Sequence, residues 1–519
     1  MNNQDKRIQN VSETAQLRTE LVLGLVAPLG TNLDTVQAEL EKALTSAGYE
    51  VATIRVASDI IPLIEPFLPE KLSPFELASM KMNKGNDARS KAKDNAILAK
   101  GAAAKIAENR NDDENKVKEP RLRSATIIRS LKHREEVELL RLIYPQGFYL
   151  IGVNAEKERR VKFLEKDRGI GESKAKELIE RDQNEDDKRG QQVAKTFHMS
   201  DFFVRIDGNS DRLDSSLGRI VELILGNPHL TPTFDEFAMF SAFAASLRSA
   251  DLSRQVGAVV ADDANCEVLG SGANDCPRFH GGLYWPIEMG SQIVDVKDGR
   301  DVAKGFDTNE KERDRIAAQV VSIASNLGCD KEKLKQQLES SLIQDITEYS
   351  RAVHAEMESL LFCGRVGIPT RGKSLFTTTF PCHNCAKHIV AAGINRVIYV
   401  EPYPKSRAAE FHSDSLYVAD SEGDIEKNKV RFEAFEGVGP RRFFDLFSMN
   451  LGSGKSIKRK DDDGNVMLWK RDEAIPRRQM FPFSYLDLEA IAANEFTKFQ
   501  QLPEELKDEG EQRNRRGSN

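Results

Sequence analysis

The chain has 519 residues, 75 of them Lys or Arg and 82 Asp or Glu, for a formal net charge of −7. At about 150 residues per domain this length predicts two to four domains, and the mild acidity argues against a general nucleic-acid coat, which needs a net basic surface. The polar opening MNNQDKRIQN lacks the apolar core of an export signal, and no run approaches the roughly 20 apolar residues that span a bilayer. The expectation is a cytoplasmic protein with no membrane partner.

The first element, ELVLGLVA (20–27), is a short apolar run and reads as a buried strand. A PLGTNLD turn leads into a helix with Val36, Leu40 and Leu44 on one face and Gly48 as its stop. VATIRVAS then reads as a second strand, and strand, glycine turn, helix, strand is the opening of a parallel βαβ sheet. Residues 85–125 are charged, Ala-rich and poor in large apolar side chains, and are expected to be a helical or mobile insertion with a solvated surface. ATIIRSL, a helix through EEVELLRLIYP, and GFYLIGV resume the alternation. A charged helical stretch follows over 155–195, then the strand DFFVRIDG and the closing helix DRLDSSLGRIVELILG. NPHLTPTFD marks a domain boundary. The first domain is therefore placed at 17–228.

A second α/β domain is expected over 229–495. It opens with the helix EFAMFSAFAASLRSA and the strand pair QVGAVVAD and EVLGSGAN. Residues 277–345, rich in Gly and charge, form an insertion whose length within a compact domain suggests function; it is helical near 309–341. The helix HAEMESLLFCG, strand SLFTTTF, helix CHNCAKHIVAAG and strand RVIYVEPY complete the domain, with an extension over 405–495. Residues 496–519 read as a disordered tail.

Two motifs carry chemistry. Of the six cysteines, Cys382 and Cys385 form a Cys-x-x-Cys opening a helix. That spacing sets two thiols one turn apart, where the helix dipole favours thiolate. His354-Ala355-Glu356 opens another helix. His354, Cys382 and Cys385 are candidate ligands of one Zn2+ per chain, leaving an open position of the catalytic type, with Glu356 as the catalytic proton carrier. A redox pair leaves the His-Ala-Glu unused. A closed structural site needs a fourth donor, for which His383, His388 and Cys363 are candidates. His-x-Glu followed by Pro-Cys-x-x-Cys is the signature of zinc nucleobase deaminases.

In the first domain, Gly24, Gly30 and Thr31 sit where a phosphate-binding loop belongs, after a strand and before a helix. The glycines are one residue too far apart for a Walker motif, and no lysine follows Gly30. The loop is expected to hold a nucleotide without transferring phosphate, or to act as scaffold only.

Residues 236–403 resemble the deoxycytidylate deaminase family, through LSRQVGAVV, GSGAN, HAEMESLLFCGRVG, FTTTFPCHNCAKHIVAAGI and RVIYVEPY. By that resemblance Asn274 meets the deoxyribose hydroxyl and Tyr403 lies near the base. The family's Gly-Tyr-Asn-Gly is here Gly272-Ala273-Asn274-Asp275. GFYLIGVNAEKERRVKFLEKD resembles the last strand and arginine-rich helix of P-loop nucleotide kinases. The fold class expected is thus α/β, an N-terminal P-loop kinase-like parallel-sheet domain joined to a C-terminal cytidine deaminase-like αβα domain. Over 17–495 this arrangement is similar to the bacterial anti-phage dCTP deaminase family. The resemblance implies deamination of free dCTP and dCMP in defence against phage, a homo-oligomer and, in some members, inhibition by a small RNA encoded beside the gene. The alternatives are an RNA or DNA base deaminase and a non-enzymatic nucleotide sensor with a structural zinc.

Overall fold

In a computed structural model, residues 20–66, 72–110, 121, 123–183, 192–327, 330–339, 341, 343, 346, 348–403, 406–419, 428–450, 457–460, 466–478 and 482–500 are described. Contacts divide the chain into two units, Met1–Pro232 with Glu436–Asn519, and Thr233–Phe435. The boundary falls inside the NPHLTPTFD segment. The residues from Glu436 onward belong to the first unit, whereas the sequence reading attached them to the second.

The first unit is built on strands β1 (Leu21–Val26), β2 (Glu50–Arg55), β3 (Ser124–Arg129), β4 (Phe148–Ala155) and β5 (Phe202–Ile206), parallel throughout in the order β5-β4-β1-β3-β2. All six residues of β1 are buried, as expected of a parallel strand covered on both faces. Helix α1 (Leu33–Ser46) packs Val36, Leu40 and Leu44 into this core and ends at Gly48, whose φ of +78° suits a residue without a Cβ. The second strand is shorter than its sequence suggested, because the chain turns into a π-helical turn at Val56–Ile60. Gly437–Val438 adds an antiparallel edge to β5, and Arg442 donates from Nε to Asp201 Oδ1 at 2.9 Å and from a terminal nitrogen to the Phe148 carbonyl at 3.1 Å. These bonds bring the C-terminal segment to the first sheet.

The charged stretch after β2 is not a solvated face. It forms α2 (Pro74–Ala92), capped by Ser73 and Glu76, and α3 (Ile97–Arg110). Ala99, Ala102 and Ala103 of α3 are fully buried. A Cβ on Gly101 would lie 2.5 Å from Ile60 Cγ2 and 2.7 Å from Phe496 Cε2. The small residues let neighbouring elements approach closely, Phe496 coming from the helix Pro482–Gln500. That helix carries residues 496–500, expected as tail; 501–519 lie outside the described residues. Arg89 of α2 is buried and donates to Glu136 Oε1 at 2.8 Å. Glu136 is in turn on α4 (Arg134–Ile143). The unit continues through α5 (Lys157–Lys166), α6 (Glu172–Gln183) and α7 (Ser210–Ile224).

The second unit opens with α8 (Phe234–Ser246), its Thr233 cap completed by Glu236. Strands β6 (Gly257–Asp262) and β7 (Glu267–Ala273) are antiparallel, as their short connection requires. A hairpin, β8 (Ile287–Met289) and β9 (Gln292–Val294), and helices α9 (Thr308–Asn326) and α10 (Lys331–Glu339) make up the insertion. Then come α11 (Ala355–Val366), β10 (Ser374–Thr379), α12 (His383–Ala391), β11 (Arg396–Glu401), β12 (Leu416–Val418) and β13 (Val430–Ala434). The sheet order is β12-β13-β11-β10-β6-β7. The 405–495 stretch therefore supplies two edge strands here, parallel to β11. No described helix is long and apolar enough to cross a membrane.

Candidate functional site

The second unit's site forms where two helices begin. His354 occupies the N-cap of α11 in extended conformation, its ring not used for capping. Cys382 is the N-cap of α12, and its Sγ accepts the backbone N–H of Cys385 at 3.4 Å. Both starts are held by the strands before them, α12 directly after β10, α11 after an isolated bridge between Val353 and Asp275. His354 Nδ1 thereby lies 3.2 Å from Cys385 Sγ and 3.4 Å from Cys382 Sγ. The donor atoms of all three residues lie within 4.8 Å of one another.

These separations suit a zinc ion. Zn–S bonds of about 2.3 Å and Zn–N bonds of about 2.0–2.1 Å at tetrahedral angles place N and S about 3.5 Å apart and two sulfurs about 3.8 Å apart. The proton chemistry of the donors agrees. The hydrogen bond with Cys385, and after it that with His354, hold the Cys382 thiol down to about 3. The bond to Cys382 pushes the His354 imidazole up to about 9, and Cys382 also drives Cys385 well above an ordinary thiol. Three donors compete for protons at one point, and a divalent cation satisfies all three together. The fourth-donor candidates lie elsewhere. Cys363 is buried facing Gly270, the ring of His383 meets Phe411 edge-on, and His388 lies in the last turn of α12. Among the described residues, only His354, Cys382 and Cys385 gather as such a cluster.

Glu356 is 4% exposed and stands outside the trio. Burial raises its carboxyl above the usual carboxylate range. With His354, Cys382, Asn274 and Tyr403 it lines a cavity of about 380 Å³, and Cys385 is fully buried next to it. Asn274 is engaged on both sides of its amide: Oδ1 accepts from Val256 N at 2.7 Å and Nδ2 donates to Arg254 O at 2.8 Å. It thus holds the chain entering β6 while facing the cavity. The Arg254 guanidinium lies 5.4 Å from the centroid of the Tyr403 ring. The sequence reading gave Arg254 no part in the site, although it lines this cavity. It also missed Asp307, Asn309 and Arg313 of the insertion, which line the same cavity. Their only local signal is that Asn309 and Arg313 stand one helical turn apart.

In the first unit the expected loop residues separate. Gly24 lies within β1, where a Cβ would come 2.7 Å from Leu131 Cδ1 and 2.9 Å from Phe148 Cζ. Its role there is close packing, away from the loop. Gly30 has φ +85°, and a Cβ there would meet the Arg160 carbonyl at 2.8 Å. Thr31 turns its hydroxyl inward, donating to the Pro28 carbonyl at 2.7 Å. The loop N–H of Leu29 donates to Asp182 Oδ2 at 2.7 Å, and Lys132 donates to the same carboxylate at 3.0 Å. Gly30 and Asn32 line a cavity of about 420 Å³ that carries Arg159, Lys162 and Lys166.

Comparison with known proteins bears on the second unit. Residues 284–401 match the family model described as the cytidine and deoxycytidylate deaminase zinc-binding region, so this unit carries a zinc-binding region of that type. ComE operon protein 2 of Bacillus subtilis (strain 168) is 44% identical over 128 residues, 25% of this chain and 51% of that protein. The deoxycytidylate deaminase of Enterobacteria phage T2 is 38% identical over 55 residues, 11% of this chain and 29% of that protein. The chain thus spans about half, or less, of the length of these curated relatives. Among solved structures, the dCMP deaminase from the cyanophage S-TIM5 in complex with dCMP and dUMP aligns at 19% identity with a TM-score of 0.22, covering 40% of this chain and 100% of that chain. A likeness that slight carries no argument about this molecule.

Proposed function

We propose that this protein hydrolytically deaminates free deoxycytidine nucleotides, dCTP and also dCMP, to deoxyuridine nucleotides. The observation that carries the reading is the His354–Cys382–Cys385 trio beside a buried, separate Glu356 in a cavity sized for one small ligand. His354, Cys382 and Cys385 would hold a zinc ion, which when bound would supply the Lewis acidity that activates water near neutral pH. Glu356 would take one proton from the attacking water and pass it to N3 of the cytosine, then take the second from the hydroxyl of the C4 adduct and pass it to the amine, which leaves as ammonia, a role that suits a buried carboxyl whose affinity for protons is raised. Asn274 and Tyr403 orient the sugar and the base. A free nucleotide needs no base flipping, which suits an acidic chain.

In the same reading, the first unit is a P-loop kinase-like domain that binds a nucleotide at the Gly30 loop without transferring phosphate. The protein acts in the cytoplasm as a homo-oligomer. Its activity drains the dCTP that phage replication needs, and, as in some members of the family it resembles, a small RNA would restrain it. The test is ammonia release from dCTP, dCMP, single-stranded DNA and RNA by the purified full chain, repeated with Glu356→Ala. Turnover of the nucleotides, falling at least about 10²-fold in the variant with zinc retained, is the expected result. Activity on the polymers alone, or full activity of Glu356→Ala, would sink the proposal.

A further inference from the structure

We propose that residues 295–301 of the insertion form a clamp that fixes His354, with Arg300, Asp301 and Arg351 as positioning residues for the zinc site. This rests on the deamination reading and adds to it the groups that hold one ligand in place. The local hold on His354 is slight. Val353, the residue before it, exchanges two backbone bonds with Asp275, at 3.0 and 3.3 Å, in an isolated bridge. The His354 ring caps nothing on its own helix. Two strands joined without further neighbours are marginal by themselves, so the ligand's geometry needs a second support.

Two consecutive residues of the insertion supply it, one to each strand of the bridge. Arg300 takes the first strand. A terminal nitrogen of its guanidinium lies 3.5 Å from Asp275 Oδ2, and its Nε donates to Asp295 Oδ1 at 2.6 Å. Asp301 takes the second strand. Its Oδ1 accepts from Arg351 at 2.8 Å, three residues before His354. The other terminal nitrogen of Arg351 donates to the carbonyls of Gly299 at 3.0 Å and Asp298 at 3.3 Å. The chain is shaped to present those carbonyls: Asp298 sits at φ +58°, which aspartate tolerates, and the Gly299 N–H closes the turn on the Val296 carbonyl at 2.9 Å. Arg300 and Asp275 are both buried, so their attraction is screened far less than that of a surface pair. Asp275 stands where the resembled motif has glycine, and its carboxylate makes this tie possible. Arg300, Asp301 and Arg351 all lie outside the cavity lining, so they act through His354 and not on a ligand.

The experiment compares the full-length protein with Arg351→Ala, Arg351→Lys, Asp301→Asn and the double variant Arg351→Ala with Asp301→Asn. Zinc affinity is measured by competition with a chromogenic chelator, and kcat and KM for dCMP on the zinc-loaded proteins. For Arg351→Ala, the zinc Kd should rise about 10- to 100-fold, the scale found when a group supporting a metal ligand is lost. The kcat should fall about 10-fold or more while KM stays within about 3-fold, because the cavity lining is untouched. The double variant should be no worse than the poorer single one, since both changes remove one contact. Lysine should restore part of the loss, and this variant decides the matter if alanine fails to fold. Unchanged zinc affinity and kcat in Arg351→Ala, or a loss of thermal stability alone, overturns the clamp while wild-type turnover keeps the deamination reading. Fully additive losses in the double variant also overturn it. A wild type that binds zinc in an Arg351-dependent way yet releases no ammonia from any cytosine nucleotide overturns deamination and supports the clamp.

Discussion

Gly272 of β7 is the point at which a single methyl group should disable the zinc site from the opposite face of α11. A Cβ there would lie 2.3 Å from the Ala355 carbonyl oxygen and 2.5 Å from Ser359 N. Both are backbone atoms of the helix that begins at His354 and carries Glu356, so no side chain can rotate away. Restoring ordinary contact requires α11 to retreat by about 1 Å, a displacement that costs catalytic geometry about 10²-fold, and overpacking of this kind destabilises a core by about 1–3 kcal/mol. Gly272→Ala should therefore lower kcat about 10²-fold and weaken zinc retention, read by ammonia release and metal analysis on the same preparation. Gly364→Ala is the matched control. It lies on the same helix, its Cβ meets nothing within 4 Å, and it should leave turnover intact while raising stability by about 0.5–1 kcal/mol. A Gly272→Ala protein with wild-type kcat and full zinc would refute the claim that the strand–helix contact fixes the site.

Three further outcomes are expected. Cys382→Ala and Cys385→Ala should each lose zinc and all deaminase activity, because two remaining donors do not hold the ion; one zinc per chain with full turnover in either would show the ligands to be elsewhere. Arg89→Met removes one member of a pair that is 2% and 0% exposed and leaves Glu136 buried without that cation, held by the Lys132 and His133 backbone N–H groups, so chemical denaturation should report a loss of up to about 3–5 kcal/mol; a loss below about 1 kcal/mol would mean that these bonds, water or another cation suffice. Incubation with labelled ATP and deoxynucleoside monophosphates should give no phosphoryl transfer, because no lysine follows Gly30; robust transfer would show that another basic residue replaces it.

What the sequence disclosed follows from distance along the chain. His354 and Glu356, like Cys382 and Cys385, are neighbours whose relation is set by the start of one helix, and the parallel strands announce themselves as apolar runs. The α3 helix was misjudged because its alanines are individually weak apolar signals. Their burial depends on how closely Ile60 and Phe496 approach Gly101, and those partners are remote in sequence. The same holds for Arg313, which lines the cavity beside Asn309, itself tied to Ile346 and Tyr349, and for Glu436 onward, which joins the first sheet through Arg442 and Asp201. Asn274 was noticed by its motif, yet its bonds to Val256 and Arg254 could not be read from it.

The Asp182 carboxylate at the glycine loop has a consequence for how that loop can respond. Asp182 is fully buried near the end of α6 and receives the Leu29 N–H, so the loop already holds an anion, one tethered to the protein itself. A tethered competitor acts at an effective concentration on the order of millimolar. An incoming phosphate that claims the Leu29 N–H must displace it and release α6 from this contact. If the loop binds phosphate as proposed above, its occupancy and the docking of α6 through Asp182 would exclude one another, and Lys132, which also donates to Asp182, would be freed with the loop.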